Sequence, residues 1–330
     1  MEAITRTVSV TITSTDDDDD GANRVASLVT AGPDYPDPKW SHTTLNYYKD
    51  ADEPPPDTLN SPKLTEHDLR MARRGDDSPH IAPTAVRIRN LRGEEWDCSI
   101  ERQGFAVAHL DSHMPSSAES WRDDEQLKQV FFPELDALLK RELGCKQTVQ
   151  YEWHVRTATL ENALAEPSEG KVDINGPVRR VHIDESPASA KREFAYHCPE
   201  LAAKGSKFGI YNVWKPLKTI RRDPLCLCDA RTLRDEDLQL GKVTVPKVGE
   251  IENFAVRAPR GEGAHGFCYV RGMRVDEAYV FRIYDGRVDD DDGGGKGKRS
   301  HGVAHASFID PGTEEEGARE SVEVRSFCVF

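Results

Sequence analysis

His182 and Asp184 are the residues of this sequence whose types and spacing most directly permit chemistry. They lie two positions apart in the segment RRVHIDESP, so on a β-strand both side chains point to the same face. A neutral imidazole and a carboxylate on one face can serve as neighbouring ligands of a divalent metal. The pair alone is a weak signal, because a surface histidine beside a charged neighbour explains the same residues.

Two residues later in the chain can complete such a site. His305 lies in HASFIDP, and Arg319 follows in ARESVEVR. Two histidines and one carboxylate on one face of a metal form the facial triad of non-haem iron(II) oxygenases, which leaves other positions open. The planar guanidinium of an arginine binds a carboxylate through two parallel hydrogen bonds, as the far end of a co-substrate requires.

Short strands, with helices before them, are predicted to position these residues. Residues 117–144 have apolar residues at helical spacing, interrupted by Pro133, which predicts two helices that meet near the proline. The segment KQTVQYEWHVRTATL and the chain from PVRRVHIDES onward contain many short runs of Val, Ile, Phe and Tyr separated by turn residues. We therefore predict a mainly β fold with flanking helices, a double-stranded β-helix (jelly roll). Upstream, TAVRIRNLRG and WDCSIERQGFAVAHL are predicted to form a hairpin.

Composition and charge exclude several classes of protein. The 330 residues include 44 Lys and Arg and 58 Asp and Glu, which gives a net charge of −14. No basic surface for binding nucleic acid is therefore expected. No apolar stretch is long enough for a membrane helix, and the amino terminus does not resemble a secretory signal. Seven cysteines without metal-like spacing indicate reduced thiols in an intracellular, cytoplasmic protein.

Beyond these residues, long segments of the sequence resemble the iron(II)- and 2-oxoglutarate-dependent dioxygenases. The resemblance is strongest to a fungal and bacterial branch with gibberellin desaturase-like enzymes, the hydroxylase of aspergillic acid biosynthesis and proteins associated with cephamycin methoxylation. It extends over about residues 45–330, and the segment around NVWKPLK and DPLCLCDA is its most specific element. The matching segments are LNYYKD (45–50), RNLRGEE (89–95), QGFAVAHLDS (103–112), VRRVHIDES (178–186), YNVWKPLKTIRRDPLCLCDA (211–230), YVRGMRVDEAYVFRIYDG (269–286), HASFIDP (305–311) and ARESVEVR (318–325).

The resemblance implies a cofactor set and a reaction. Fe(II) is expected to be bound by His182, Asp184 and His305, and 2-oxoglutarate by the metal and by Arg319 with the aid of Ser321. With O2 the family converts 2-oxoglutarate to succinate and carbon dioxide while a substrate is oxidised, and ascorbate is expected to help. The expected function is hydroxylation or desaturation of a small-molecule natural product in secondary metabolite biosynthesis. The alternative is a catalytically silent jelly-roll protein that binds a metabolite.

Further residues are predicted from strand parity. Asn212 and Trp214 share a face of a strand expected to neighbour His182, so they are predicted to line the co-substrate pocket, although Trp214 could equally be a core residue. Lys215 has the opposite parity and is predicted to form a surface ion pair. His154 and Arg156 share a strand face and either line the pocket or form a pair at the barrel edge.

Alternatives remain for two assignments and for one loop. His301 lies close to His305, and the fit of HASFIDP to the family favours His305 as the third ligand. Arg325 competes with Arg319 for the co-substrate carboxylate and is ranked second. The loop from Gly286 to Gly302 is polar and glycine-rich, and it is either a lid over the site or an inert insertion.

The expected organisation is one catalytic domain preceded by an arm. Residues 1–40 are predicted to be an acidic arm that is poorly ordered or strand-like, and residues 41–330 a single dioxygenase domain with its jelly-roll core at about 146–330. The expected partner is a small-molecule substrate, and no binding to nucleic acid or to a membrane is expected. A homodimer is one possible oligomeric state.

Overall fold

Strands dominate the computed structural model, which describes residues 38–49, 81–159, 162, 176–245, 249–261, 264–287 and 302–330. The strands are β1 (Trp40–Tyr48), β2 (Ile81–Asn90), β3 (Phe105–His109), β4 (Gln147–Arg156), β5 (His182–Ile183), β6 (Phe208–Pro216), β7 (Leu225–Cys228), β8 (Leu238–Val245), β9 (Gly249–Val256), β10 (Phe267–Tyr269), β11 (Glu277–Asp285), β12 (His305–Ser307) and β13 (Ser321–Val329). The α-helices are α1 (Ile100–Gln103), α2 (Asp124–Gln126), α3 (Phe132–Leu143), α4 (Pro187–His197) and α5 (Pro199–Ala203).

These strands form two sheets. One has eight strands in the order β1-β2-β10-β7-β12-β5-β9-β8, and the other has five in the order β3-β11-β6-β13-β4. Neighbouring strands are antiparallel except for β2 and β10, which are parallel. This is the predicted mainly β architecture, and strands before residue 146 extend both sheets.

Strand β6 shows how alternation separates the inside of the fold from the helical layer. Ile210 and Trp214 belong to the apolar core that includes residues of both sheets. Tyr211 and Val213 point the other way, into a second core. Because successive strand residues face opposite sides of a sheet, one strand builds both cores.

Helix α3 covers the outer face of the five-stranded sheet. Its residues Leu135, Leu138 and Leu139 are buried in the second core with Tyr211 and Val213, and each buried leucine contributes roughly 1.5–3 kcal/mol. Pro133 lies in the first turn of α3, directly after the π-helical turn Leu127–Phe131, where the pattern of helical hydrogen bonds changes. The helical segment 124–131 precedes it directly, so the predicted helices meet at the proline and pack outside the barrel.

The predicted hairpin between residues 84 and 110 is wrong. Strand β2 pairs with β1 and β10 in the eight-stranded sheet, whereas β3 pairs with β11 in the five-stranded sheet. Between them, helix α1 is capped by Ser99 at its start and ends at Gly104, whose φ of 86° favours glycine. The chain therefore crosses from one sheet to the other instead of turning back.

Several sequence-based predictions lie outside the described residues. They concern the arm up to residue 37, His301, and the central part of the Gly286–Gly302 loop. Among the described helices, none is both long and apolar enough to cross a membrane. The seven cysteines are all free thiols.

Candidate active site

Two neighbouring strands bring the predicted metal ligands together. His305 on β12 is in register with His182 on β5, and Asp184 follows β5 directly. Val181 and Ile183 are buried in a core on the opposite face of β5, so His182 and Asp184 share the face that looks into the barrel. The rings of His182 and His305 have centroids 4.4 Å apart.

Hydrogen bonds set the orientation of both imidazoles. The Nδ1 atom of His182 lies 2.8 Å from the carbonyl oxygen of Arg180, and that of His305 lies 3.0 Å from the carbonyl oxygen of Val303. A carbonyl oxygen can only accept, so each Nδ1 carries a proton, and in the neutral ring the Nε2 then presents the lone pair that a metal binds. Such second partners fix the tautomer and orientation of metal-binding histidines.

The ligand atoms of these three residues converge on one point. They all lie within 4.8 Å of one another; the His182 Nε2 is 3.4 Å from Asp184 Oδ1, and the His305 Nε2 is 3.6 Å from Asp184 Oδ2. Ligands ~2 Å from one metal and at right angles about it are ~3 Å apart. Asp184 Oδ2 is buried and has no hydrogen-bond partner among the described residues. Two nitrogen atoms and one carboxylate oxygen therefore fit a divalent iron site.

Arg319 is a buried guanidinium without an ion pair in the described part of the chain. It is 4% exposed, and its Nη1 donates to the carbonyl oxygen of Asp223 at 2.9 Å, while its Nε has no partner there. Burial, together with repulsion from Arg156, lowers the pKa of Arg319, but an arginine remains charged at neutral pH. A buried cation in this state requires an anion, which a carboxylate of 2-oxoglutarate can provide.

Asp223 holds Arg319 through a backbone conformation that side-chain-bearing residues seldom adopt. Its φ is 53°, a left-handed value that costs an aspartate of order 1 kcal/mol or more. Its carboxylate forms an ion pair with Arg179, while its carbonyl oxygen accepts from Arg319. The Asp223 carboxylate is thus engaged by Arg179 and, at 3.5 Å, by Arg222, so that it does not neutralise Arg319 through a direct ion pair. A cleft of about 390 Å³ opens beside Arg319.

Three other predicted pocket residues carry buried polar atoms without hydrogen-bond partners in the described chain. These atoms are Asn212 Oδ1, Trp214 Nε1 and Ser321 Oγ. The Trp214 ring also packs 5.5 Å from the Arg319 guanidinium and belongs to the core, so it serves both as core and as a potential donor. Buried polar atoms that lack partners are rare and commonly indicate an absent ligand or water.

Arg325, the rival anchor, lies at the metal ligands instead. Its Nη2 forms an ion pair with Asp184 Oδ1 at 2.9 Å, and its Nη1 donates to Glu152 Oε2 at 2.5 Å. Its charge is therefore already paired with two carboxylates. This arrangement favours Arg319 as the residue that binds the co-substrate carboxylate.

His154 and Arg156 follow the predicted strand face, and each contacts a carboxylate. His154 Nε2 lies 3.0 Å from Glu152 Oε1, and Arg156 Nη2 donates to Glu323 Oε1 at 2.7 Å. Burial by itself raises the pKa of Glu323, but the nearby Arg156 and His154 outweigh it and lower the value to about 2. This ionised pair lines one wall of the barrel.

The surface ion pair predicted for Lys215 is wrong, although its parity is right. Lys215 is 3% exposed, and its Nζ donates to the carbonyl oxygens of Leu110, at 2.8 Å, and of Val275. Burial lowers its pKa to about 8. The helices and loops that cover the outer face of β6 bury this side chain, which strand parity could not indicate.

Sequence reasoning missed Glu152, Arg179 and Asp223. Glu152 has the same parity as His154 and Arg156, and this period-two pattern could have indicated it. Asp223 precedes a proline, which suggests a turn but not a left-handed φ. The pairing of Arg179 with Asp223 depends on tertiary contacts and has no local signal.

The known proteins that resemble this chain in sequence or in structure have names that agree with one another. A family model described as an oxidoreductase/YMDC permease-like domain matches residues 45–329. The alpha-ketoglutarate-dependent dioxygenase phiK from a fungal species is 34% identical over 249 residues, which cover 74% of this chain and 84% of the relative. The hydroxylase/desaturase CTB9 from Cercospora beticola is 31% identical over 261 residues, covering 74% and 76%. The solved iron and alpha-ketoglutarate-dependent endoperoxidase NvfI matches with a TM-score of 0.67 at 20% identity, covering 88% of this chain and 98% of that one. This last match confirms the predicted jelly roll.

Proposed function

The chain belongs to the iron(II)- and 2-oxoglutarate-dependent dioxygenases, and on this premise we propose that it hydroxylates or desaturates a small-molecule natural product in secondary metabolism. The relative CTB9 is named a hydroxylase/desaturase and phiK an alpha-ketoglutarate-dependent dioxygenase. Their names support an oxidation of this type.

In this proposal each residue of the pocket has one role. His182, Asp184 and His305 bind iron(II), and Arg319 with Ser321 binds the far carboxylate of 2-oxoglutarate. Asn212 and Trp214 contact the co-substrate through their unpartnered polar atoms. Bound iron(II) supplies the oxidising power when O2 and 2-oxoglutarate are present. The chain itself orients the ligands, excludes water and selects the substrate.

One observation carries the proposal. The two histidines, paired across β5 and β12, present Nε2 lone pairs toward a buried carboxylate oxygen that lacks a partner in the described structure. A buried carboxylate and two neutral imidazoles in this arrangement repel one another unless a cation lies between them. A protein that only binds a metabolite has no need of such a group.

Succinate formation tests the proposal. Purified protein is incubated with Fe(II), 2-oxoglutarate, ascorbate and extracts of candidate metabolites, and succinate is measured by mass spectrometry, with Asp184→Ala as the inactive control. We expect Asp184-dependent succinate that increases when a substrate is present. Protein that neither takes up metal nor forms succinate would support the catalytically silent binding protein.

We further propose the setting in which this enzyme works. The dioxygenase domain occupies residues 41–330 with its jelly-roll core at about 146–330, and the acidic arm of residues 1–40 precedes it. The protein is cytoplasmic, binds neither nucleic acid nor membrane, and is either monomeric or a homodimer. The net charge of −14 supports the exclusion of nucleic acid.

A further inference from the structure

Arg325 connects the candidate metal centre to the opposite sheet. It lies on β13 directly across from Glu152 on β4 and from Asn212 on β6. Asp184, in contrast, follows β5 of the eight-stranded sheet. The Arg325 side chain therefore crosses the barrel to reach a predicted metal ligand.

The guanidinium distinguishes the two oxygens of that ligand. Nη2 of Arg325 lies 2.9 Å from Asp184 Oδ1, whereas Asp184 Oδ2 has no hydrogen-bond partner in the described chain. Opposite charges at this distance, in a site largely removed from water, attract each other strongly. The ion pair engages Oδ1, and Oδ2 is the carboxylate oxygen that is left to bind a metal.

Glu152 holds the guanidinium in this position. Its Oε2 accepts from Arg325 Nη1 at 2.5 Å, so the two ends of the planar fork contact two different carboxylates. The geometry of the fork is rigid. The direction of the Arg325 Nη2 toward Asp184 is therefore set by Glu152.

We propose that Arg325 is a positioning residue that restricts Asp184 to metal binding through one oxygen, Oδ2, and that Glu152 positions Arg325. This role rests on the proposed function, since it concerns the same metal centre. A carboxylate that binds through one oxygen occupies a single coordination position. It leaves the positions that 2-oxoglutarate and O2 require.

The test uses metal-free protein and Co(II) as the probe, because the d–d absorption of Co(II) reports the number and geometry of its ligands. Wild type, Arg325→Gln, Arg325→Lys and Glu152→Gln are titrated, and affinity and spectrum are recorded. Arg156→Gln is the matched control. It removes a guanidinium on the neighbouring strand β4 that forms an ion pair with Glu323 and donates to the carbonyl oxygen of Gly176.

We expect Arg325→Gln to bind Co(II) about ten- to a hundredfold more weakly than wild type, as is typical when a partner of a metal ligand is lost. We also expect an altered spectrum, because Asp184 can then bind through both oxygens. Arg325→Lys should recover part of the Co(II) affinity, and Glu152→Gln should bind Co(II) severalfold more weakly than wild type. Arg156→Gln should match wild type in Co(II) affinity and spectrum. If circular dichroism shows that Arg325→Gln does not fold, the Co(II) affinity and spectrum of Arg325→Lys are compared with those of wild type instead.

Two results separate this role from the proposed function. Wild type that takes up no Co(II) contradicts the metal centre itself. Wild type that binds Co(II), with Arg325→Gln or Arg325→Lys equal to it in affinity and spectrum, contradicts only the positioning role. An equal loss of Co(II) affinity in Arg156→Gln also contradicts the positioning role. The effect would then follow from the removal of any positive charge from these two strands.

Discussion

Asp184 and His305 are both in the protonation state that a metal requires. Burial by itself raises the pKa of Asp184, but the guanidinium of Arg325 outweighs it and lowers the pKa well below its ordinary value. Burial lowers the pKa of His305 to about 4, although Asp184 opposes this. At neutral pH the carboxylate is therefore ionised and the imidazole neutral, so metal binding need not displace a proton from either group.

The proposed metal ligands are tested by alanine substitutions. His182→Ala, Asp184→Ala and His305→Ala each remove one of three proposed ligands, so Fe(II) affinity and activity should fall together. Isothermal titration of metal-free protein and succinate formation measure the two quantities. His301→Ala is the control and should leave both nearly unchanged. If His301→Ala loses iron while His305→Ala keeps it, the third ligand is misassigned.

Arg319→Ala should separate the co-substrate from the metal. The variant keeps the proposed metal ligands but loses the proposed carboxylate anchor, and charge-assisted hydrogen bonds contribute roughly 1.5–3 kcal/mol, or about ten- to a hundredfold in affinity. The KM for 2-oxoglutarate should rise accordingly with Fe(II) affinity unchanged, and Arg319→Lys should restore only part because the bidentate fork is lost. Unchanged 2-oxoglutarate affinity in Arg319→Ala, with loss in Arg325→Ala, would show that Arg325 is the anchor.

At the level of elements, strand alternation divides chemistry from packing. On β13, Val322 and Val324 face the helical layer, whereas Ser321, Glu323 and Arg325 have the parity of the pocket. On β6 the same rule places Trp214 inside and Lys215 outside. Neighbouring strands therefore present their polar residues to one cavity, and a shift of register by one residue would bury the wrong set.

Lys215 on β6 bonds to the chain directly after β3, at Leu110, and shortly before β11, at Val275, and its titration should be visible in stability. Its pKa is lowered to about 8 in the folded protein from 10.5, so between these pH values the unfolded chain binds more protons than the folded one. The free energy of unfolding should then rise with pH over this range and be level below pH 8. Relative to Lys215→Met, the rise should total up to about 3 kcal/mol, measured by urea denaturation from pH 7 to 10.5. Parallel curves for the two proteins would contradict the burial of a titrating amine.

At the level of the whole molecule, the candidate site spans the two sheets. The eight-stranded sheet contributes His182 and His305, while Arg319 precedes β13 and Ser321 begins it in the five-stranded sheet. Ligands that bind both sets of residues connect the sheets. They should therefore stabilise the entire fold, not a single loop.

Thermal denaturation tests this connection. With Mn(II) and 2-oxoglutarate each at a hundred times its dissociation constant, each ligand should add about 2.7 kcal/mol to the stability of the folded state and raise Tm. Asp184→Ala should lose both increments, because 2-oxoglutarate binds partly through the metal. Arg319→Ala should lose mainly the increment from 2-oxoglutarate. A Tm that rises with 2-oxoglutarate in Asp184→Ala as it does in wild type would argue against a metal-linked co-substrate site.

Much of this protein follows from local sequence pattern. The period of two puts His182 beside Asp184 and Asn212 beside Trp214, because alternation along a strand is a property of the backbone alone. The period of 3.6, with Pro133 in a first turn, determines the helices before the jelly-roll core. The run of short strands and the segments that resemble the family also predicted the fold class and the cofactors.

Only the tertiary structure decided which distant residues meet. The register of β12 on β5 brings His305 opposite His182, and β2 and β3 enter different sheets although they are close in sequence. Arg325 reaches Asp184 and Glu152, and the left-handed backbone of Asp223 turns its carbonyl oxygen to Arg319. Local pattern determines which face a side chain takes. The partner across the barrel depends on strand order, register and the path of loops, which involve the whole chain.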